Sequence, residues 1–157
     1  MSRILSFFLV AIFSLFLGSQ ITEGCLLLPY WKTLSTTEFY YYYAQFGKEI
    51  GRFYTILTVI AALIPLSTSI YCILKKSPAL RNSLISSFFT FLFIAVFYLY
   101  FKGANQQFYN TSLSGSEVTS QLVIWGHWHW FRVFLEFLAL VFLILTFHVL
   151  TKSEDEQ

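Results

Sequence analysis

Charged residues are scarce in this 157-residue chain, where Asp, Glu, Lys and Arg together make up only 11% of the sequence. Soluble globular domains carry about 25% charged residues, so most of this surface must contact something other than water. The net charge is only +2, and no block of Lys and Arg of the kind that binds nucleic acid is present. Because 57% of the residues are hydrophobic, the composition predicts an integral membrane protein with a single domain, residues 1–157.

Cysteine is also rare. Its two occurrences, Cys25 and Cys72, are spaced neither as a CxxC pair nor as a metal-binding set. On the topology described below they fall near opposite faces of the membrane, which argues against a disulfide between them and against a thiol–disulfide exchange enzyme of the four-helix membrane type. The chain also lacks a P-loop and a GxGxxG sequence, so neither common nucleotide-binding motif is available.

Four apolar stretches are long enough to cross a membrane, since about 20 mostly apolar residues span roughly 30 Å of hydrocarbon. Lipid offers the backbone no hydrogen-bond partner, so each stretch must be helical. The sequence therefore predicts an all-α bundle of four transmembrane helices at residues 4–28, 54–74, 84–101 and 122–150. The first stretch also has features of a signal peptide cleaved near Gly18-Ser19-Gln20. It lacks a clean A-x-A site, and we keep it as a helix.

The link between the second and third helices carries Lys75, Lys76 and Arg81, the densest positive cluster in the chain. The positive-inside rule places this link in the cytoplasm, with both termini on the same side and two longer loops outside. We expect a multi-pass protein of the plasma membrane, or of the inner membrane if the source is bacterial. The first outer loop, residues 29–51, is predicted to be partly helical and to lie against the bundle, and Pro65 is expected to kink the second helix.

On this topology, the polar residues within or near the membrane gather toward the outer side. Arg132 lies about 15 Å along the fourth helix from Gln121, too deep for casual contact with water. Glu136 follows Arg132 by one helical turn and can pair with it. Glu23 of the first helix is predicted as the second partner of Arg132. The group is either a structural ion pair or a polar pocket open to the outer face, and we favour the pocket. The polar residues that gather at the outer side, of which this group is a part, are Glu23, Glu49, Arg52, Asn105, His127, His129, Arg132 and Glu136.

The histidines of the fourth helix fall on different faces. At 100° per residue, His129 shares a face with Arg132 and with the tryptophans at 125 and 128, whereas His127 points away. The other predicted helices contain no histidine, which excludes a bis-histidine haem between helices, and the Glu-x-x-His pairs of di-iron bundles are absent. We therefore predict no metal site and favour no cofactor, with one metal ion held by His129 and Glu23 as an alternative.

Three segments resemble the DUF1772, or anthrone oxygenase-like, family of membrane proteins. Residues 18–23 (Gly-Ser-Gln-Ile-Thr-Glu), followed by residues 28–31 (Leu-Pro-Tyr-Trp), are similar to the family's first-helix pattern of a glutamate, an apolar run and Pro-x-Trp. Residues 100–105 (Tyr-Phe-Lys-Gly-Ala-Asn) resemble the end of its third helix. Residues 125–132 (Trp-Gly-His-Trp-His-Trp-Phe-Arg) resemble its fourth-helix signature, in which Asn often stands where this chain has His129.

The resemblance implies a four-helix membrane protein. Some fungal relatives are anthrone oxygenases, which oxidise an activated polycyclic phenol to a quinone without a conventional cofactor. It also implies that five positions line a common site: Glu23, Asn105, Trp125, His129 and Arg132.

An enzyme of this kind needs a general base, a cation or hydrogen-bond donor for a developing enolate oxygen, and a dry aromatic pocket. Glu23 or His129 is the candidate base, and Arg132 and Asn105 are the candidate oxyanion donors. The candidate substrate-binding residues are Trp31, Trp125, Trp128 and Glu136.

Two alternatives to an oxygenase stay open from the sequence. A non-catalytic module that binds lipid or quinone would use the same pocket without chemistry. A structural subunit of a membrane complex would use the polar residues only to hold helices together. In every case the expected partners are membrane lipid and, for the first two hypotheses, a small hydrophobic ligand. No nucleic acid is expected.

Overall fold

A computed structural model of the protein describes residues 2–155, and every regular element within that range is helical. Four long helices follow one another: α1 (Arg3–Thr33), α2 (Thr36–Leu74), α3 (Leu80–Tyr109) and α4 (Gly115–Asp155). Each contains a stretch long and apolar enough to cross a membrane. The predicted all-α bundle of four membrane-spanning helices is confirmed.

The helices extend well beyond the apolar stretches that predicted them. The second helix begins at Thr36 rather than at residue 54, and the fourth begins at Gly115 rather than at residue 122. Likewise, α1 continues to Thr33 and α3 to Tyr109. Apolar runs mark only the part of a helix that suits hydrocarbon, whereas local capping decides where the helix begins. Residues 29–51, predicted to form a partly helical outer loop, are almost entirely helical, so the connection between the first two helices is shorter than expected.

The start of α2 shows how capping extends a helix. Ser35 accepts a hydrogen bond from the backbone of Glu38, and the Glu38 carboxylate accepts one from the backbone of Ser35, which forms a capping box. The resulting helix of 39 residues is about 58 Å long at 1.5 Å per residue. It is much longer than the roughly 30 Å hydrocarbon layer, so part of α2 projects beyond the membrane.

We call the half of the bundle that holds the short connections at residues 34–35 and 110–114 the upper half. The lower half holds the α2–α3 turn and the chain termini. Aromatic rings fill the top of the upper half, where Phe39 of α2 lies 5.0 Å from Phe108 and 6.4 Å from Trp31 between ring centroids. The first part of α2 thus lies against the bundle, as predicted for residues 29–51.

Small hydroxyl residues join the helices of the lower half. Ser87 of α3 donates to the carbonyl of Pro65 at 3.0 Å and accepts from Ser69 of α2 at 2.8 Å. Ser86 donates to the carbonyl of Ala139 in α4 at 2.7 Å. We call Ser69, Ser86 and Ser87 the hydroxyl seam. Small residues of this kind let helices approach closely in a membrane, where hydrophobic association contributes little.

Large apolar side chains cover the outside of the bundle. Among the most exposed are Ile4, Phe7, Leu15, Leu26, Leu74 and Leu99. An apolar surface of this extent would be unfavourable in water and suits contact with lipid tails. The chain is a multi-pass integral membrane protein. Its two cysteines are free thiols, with Cys25 exposed and Cys72 buried.

Candidate functional site

Arg132 of α4 is the centre of a buried polar group in the upper half. One terminal nitrogen of its guanidinium, Nη2, donates to Gln20 Oε1 and lies 3.4 Å from Glu23 Oε2. Its Nε lies 3.6 Å from Glu136 Oε1. The predicted pairing of Arg132 with both glutamates is confirmed. We call Gln20, Glu23, His129, Arg132 and Glu136 the Arg132 cluster.

His129 is held within this cluster by both of its ring nitrogens. Its Nε2 lies 2.9 Å from the backbone carbonyl of Gln20, and because a carbonyl only accepts, Nε2 carries the proton and donates. Its Nδ1 lies 3.3 Å from Arg132 Nη2, which only donates, so Nδ1 accepts. The ring also stacks on Trp125, with centroids 5.0 Å apart and planes inclined by 9°. With both nitrogens engaged, His129 is placed to orient Arg132.

The backbone of α1 brings Glu23 to this position through a wide turn. Residues Glu23–Leu27 form a π-helical segment, which ends shortly before Pro29. The proline ring cannot be accommodated against a normal α-helical turn, and π turns are frequent where a functional side chain must be presented. A Cβ added at Gly24 would lie 2.8 Å from Trp130 Cζ2 and 3.0 Å from the His129 ring. Glycine is therefore needed for α1 and α4 to approach at this level.

A cavity of about 330 Å³ lies beside the Arg132 cluster. It exists because the middle of α2 stands away from the other helices: between Gly47 and Ala61, no residue of α2 is buried. A second π-helical segment, Phe97–Phe101 of α3, contributes rings to the opposite wall. The lining comprises Glu23, Trp31, Tyr43, Ile50, Gly51, Tyr54, Thr55, Thr58, Val59, Ala62, Leu63, Phe93, Ile94, Phe97, Tyr98, Phe101, Asn105, Trp125, Arg132 and Glu136.

Several polar atoms in the cavity wall lack a hydrogen-bond partner. Glu136 is fully buried, and neither of its carboxyl oxygens is within hydrogen-bond distance of a donor in the described chain. Its contact with Arg132 Nε at 3.6 Å is close enough for an ion pair but too long for a hydrogen bond. The indole nitrogen of Trp31 is likewise buried without a partner. Arg132 Nε, which faces Glu136, is also buried without a hydrogen bond. Buried polar groups are nearly always hydrogen-bonded, so these atoms are available to a molecule that enters the cavity.

Six of the eight predicted site residues line this one cavity: Glu23, Trp31, Asn105, Trp125, Arg132 and Glu136. Trp125 donates to Asn105 Oδ1 at 3.1 Å, which joins α4 to α3. His129 lies behind Trp125 and is not part of the lining. Trp128 is also outside the lining, where it stacks on Tyr100 with centroids 5.3 Å apart.

Three of the polar residues expected toward the outer side lie outside the buried polar group. Glu49 and Arg52 are exposed, because the rotation of α2 turns these two side chains away from the bundle. His127 is also exposed, as its opposite face on α4 predicted. The buried polar group is therefore smaller than expected and is concentrated around Arg132.

Gln20 and Tyr54 belong to the site but were not singled out from the sequence. Gln20 is almost fully buried and contacts both His129 and Arg132. A signal was present, because Gln20 is a polar residue in an apolar run, three positions before Glu23 on the same helical face. Tyr54 lines the cavity and donates to the carbonyl of Ser19 at 3.2 Å. Nothing in the local sequence distinguished it from other interfacial tyrosines.

The arrangement bears on the alternative of a metal held by His129 and Glu23. His129 Nδ1 and Glu23 Oε2 are 3.6 Å apart, but Arg132 Nη2 lies 3.3 Å and 3.4 Å from them. The guanidinium thus occupies the place that a shared cation would take. Within residues 2–155, no group of three or more His, Cys, Asp or Glu side chains is arranged to hold a metal ion.

No protein-family model, curated protein or solved structure matches this chain. The resemblance to the DUF1772 family accordingly stays a prediction, and the site is interpreted from its own geometry.

Proposed function

We propose that this protein binds a small, largely apolar molecule that carries a hydroxyl donor, such as a phenol or a quinol, in the cavity beside the Arg132 cluster. The observation that carries the proposal is the Glu136 carboxyl group, fully buried in the cavity wall with no hydrogen-bond donor for either oxygen. Leaving such an acceptor unmatched costs about 1–3 kcal/mol, and more for a charged group. A ligand hydroxyl that donated to Glu136 would recover this free energy.

The charges of the cluster favour a neutral ligand head group over an acidic one. Arg132 already contacts Gln20, Glu23 and Glu136, so its guanidinium is matched by two carboxyl groups. An anionic ligand would add a third negative group beside a single cation, and like charges at close range repel strongly away from water. A phenol or enol avoids this repulsion and still donates a hydrogen bond.

The size and lining of the cavity support a flat aromatic ligand. A volume of about 330 Å³ lies at the lower end of the range for small-molecule sites, which is about 300–1,000 Å³. Aromatic rings from two helices line it, among them Phe93, Phe97, Phe101 and Trp125. Aromatic pairs gain about 0.5–1.5 kcal/mol beyond simple burial, so a polycyclic molecule matches this wall better than a flexible chain does.

A catalytic form of this function is the second candidate, and the free Glu136 carboxylate is the observation that favours it. A carbon acid of the anthrone type would lose a C–H proton to Glu136 or Glu23, and its carbanion would add O2 to form a hydroperoxide. Loss of water from the hydroperoxide gives a ketone, so CH2 and O2 become C=O and H2O. Asn105 would donate its amide hydrogen to the developing enolate oxygen. His129 would hold Arg132 in place, since both of its own nitrogens are engaged.

The DUF1772 resemblance supports this catalytic form. The proposal also includes the location of the protein in the cell. We place the chain in the plasma membrane with both termini in the cytoplasm, because Lys75, Lys76 and Arg81 lie at the α2–α3 turn. The cavity then lies in the outer half of the bilayer.

Binding of 1-naphthol to the purified protein in detergent, followed by calorimetry, tests the proposal. Glu136→Gln is expected to weaken binding by about tenfold, equivalent to 1.4 kcal/mol, without lowering the unfolding temperature. Glu49→Gln is the matched control, because Glu49 is exposed on α2, and it should bind as the wild type does. 1-Methoxynaphthalene, which has no hydroxyl hydrogen, should bind weakly to all three proteins.

The same preparation distinguishes the competing functions. Anthrone added with dissolved O2 should be consumed together with O2 if the site is catalytic, and should bind unchanged if it is not. A wild-type protein that binds neither 1-naphthol nor anthrone, and whose Glu136→Gln variant differs only in thermal stability, would instead favour a structural subunit.

A further inference from the structure

The lining that α2 contributes to the cavity forms two adjacent rows along the helix. Residues 50, 54, 58 and 62 make an inner row that is partly or fully buried, and the residue after each of them makes an outer row that is exposed. In that outer row, Val59 is 54% exposed and Leu63 is 58% exposed. Side chains that line a cavity and are also open to the outside mark its rim.

The matching rim belongs to α3. Tyr98 lines the cavity and is 66% exposed, while its inner neighbours Phe93 and Phe101 are almost fully buried. Because α2 and α3 are antiparallel and joined by a short turn, Val59 and Tyr98 lie at similar heights on facing helices. The exposed lining is thus the two edges of one gap, which we call the α2–α3 opening.

The other side of α2 is closed. The hydroxyl of Tyr54 donates to the carbonyl of Ser19 in α1 at 3.2 Å, which ties the middle of α2 to α1 next to the cavity. The two lining residues from α1, Glu23 and Trp31, are both buried. Access from the α1 side is therefore blocked where access from the α3 side is open.

The α2–α3 opening faces lipid. From Gly51 to Leu63 it runs about 18 Å along α2 at 1.5 Å per residue. Most of its rim, including Thr55, Val59 and Tyr98, lies within the apolar stretches 54–74 and 84–101 that suit the hydrocarbon layer. A molecule leaving the cavity through this gap would meet acyl chains rather than water.

We propose that the ligand enters and leaves sideways, between the bilayer and the cavity, through the α2–α3 opening. The inference rests on the proposed function and narrows its ligand class to molecules that dissolve in the hydrocarbon layer. On this route, Val59 and Tyr98 control passage of the ligand. The ligand's concentration in the membrane, rather than in water, then sets occupancy of the site.

The test measures exchange of 6-bromo-2-naphthol in phosphatidylcholine proteoliposomes, in a Trp128→Phe/Trp130→Phe background that leaves the cavity residues Trp31 and Trp125 as the only tryptophans for its bromine to quench on contact. Val59→Phe adds bulk at the rim and is expected to slow release by about tenfold, a change in dissociation rate of the kind that most often tunes binding. Ile56→Phe is the matched control: Ile56 is 51% exposed on the same helix but does not line the cavity.

A second pair of variants covers the case in which Val59→Phe fills the cavity and abolishes binding. Tyr98→Ala widens the opening and should accelerate release, whereas Leu99→Ala, at the next residue and outside the lining, should not. Release rates that are unchanged in both Val59→Phe and Tyr98→Ala, with binding intact, would overturn sideways entry and leave the proposed function standing. A wild type that shows no quenching would overturn both.

Discussion

The two halves of this bundle differ in the polar side chains that they bury and in how those side chains are hydrogen-bonded. In the lower half, the buried polar side chains are short hydroxyls, and those of the hydroxyl seam all have a hydrogen-bond partner on a neighbouring helix. In the upper half, the polar side chains are long and ionisable, and Glu136 and Trp31 keep buried atoms without hydrogen bonds. The lower half is closely packed, and the upper half contains the cavity.

Helix α2 shows the difference within a single element. From Ala61 onward it is buried at regular intervals, at Ala61, Ile64, Thr68 and Cys72 among others, but none of its residues from 48 to 60 is buried. The helix is also packed at its start, through Phe39, Tyr43 and Gly47, so it is held at both ends and stands away from its neighbours in the middle. The part of α2 from Ala61 onward therefore contributes to stability, whereas residues 48–60 leave room for the binding site. Such a division is common where a site keeps polar groups without partners.

The largest expected effect comes from removing the cation of the upper half. Arg132→Met would leave Glu23 and Glu136 buried without their counter-ion, and we expect a loss of about 3–5 kcal/mol in the free energy of unfolding. Titration of the detergent-solubilised protein with a denaturing detergent measures this loss. Arg132→Lys keeps the charge and should lose less. A Met variant as stable as the wild type would show that the cluster contributes nothing to folding.

Two neighbouring alanines of α2 differ in whether their side chains lie in the packed core or beside the cavity. Ala61 is fully buried away from the cavity, whereas Ala62 lines it. We expect Ala61→Leu to cost about 1–3 kcal/mol through overpacking, while Ala62→Leu fills the cavity, leaves stability unchanged or higher, and weakens naphthol binding. Thermal unfolding and calorimetry on the two variants make the measurement. Equal destabilisation by both substitutions would mean that the cavity is not open space.

The close contact between α1 and α4 depends on a glycine, Gly24, which has no side chain. Gly24→Ala would bring a methyl group against Trp130 and His129, and we expect a cost of about 1–3 kcal/mol from this crowding. Gly18→Ala is the control, since nothing lies within 4 Å of a Cβ built there. It should instead gain up to about 1 kcal/mol from helix propensity. Changes in unfolding free energy that have the same sign in both variants would argue against a close approach of α1 and α4 at Gly24.

The smallest effect is expected in the lower half. Ser86→Ala removes the hydrogen bond to the Ala139 carbonyl, and such bonds between membrane helices contribute about 0.6 kcal/mol on average. Ser67→Ala should cost less still, because Ser67 is exposed and bonds only to carbonyls of its own helix. Unfolding titrations of the two variants decide the point, and a loss of several kcal/mol for Ser86→Ala would contradict a seam built from many weak bonds.

Much of the cluster could be predicted from α4 alone. The spacing of Arg132 and Glu136 fixes their contact, and the turn of 100° per residue separates His127 from His129. The cost of a charge in hydrocarbon then requires a partner on another helix, and Glu23 at similar depth was the natural choice. The outward position of Glu49 could not be predicted in the same way, because it depends on how α2 is rotated against the bundle.

The four spans, the helical state and the inward face of α4 can be predicted from the amino acids alone. Each of these follows from local quantities: the length of an apolar run, the hydrogen-bonding demand of the backbone in lipid, and the helical period. Packing between helices, in contrast, sets the separation of α2 from the bundle between Gly47 and Ala61, the hydrogen bond from His129 to the Gln20 carbonyl, and the position of Glu136 beside a cavity without a hydrogen-bond partner. These features depend on how separate helices pack and rotate against one another, and no single helix carries that information.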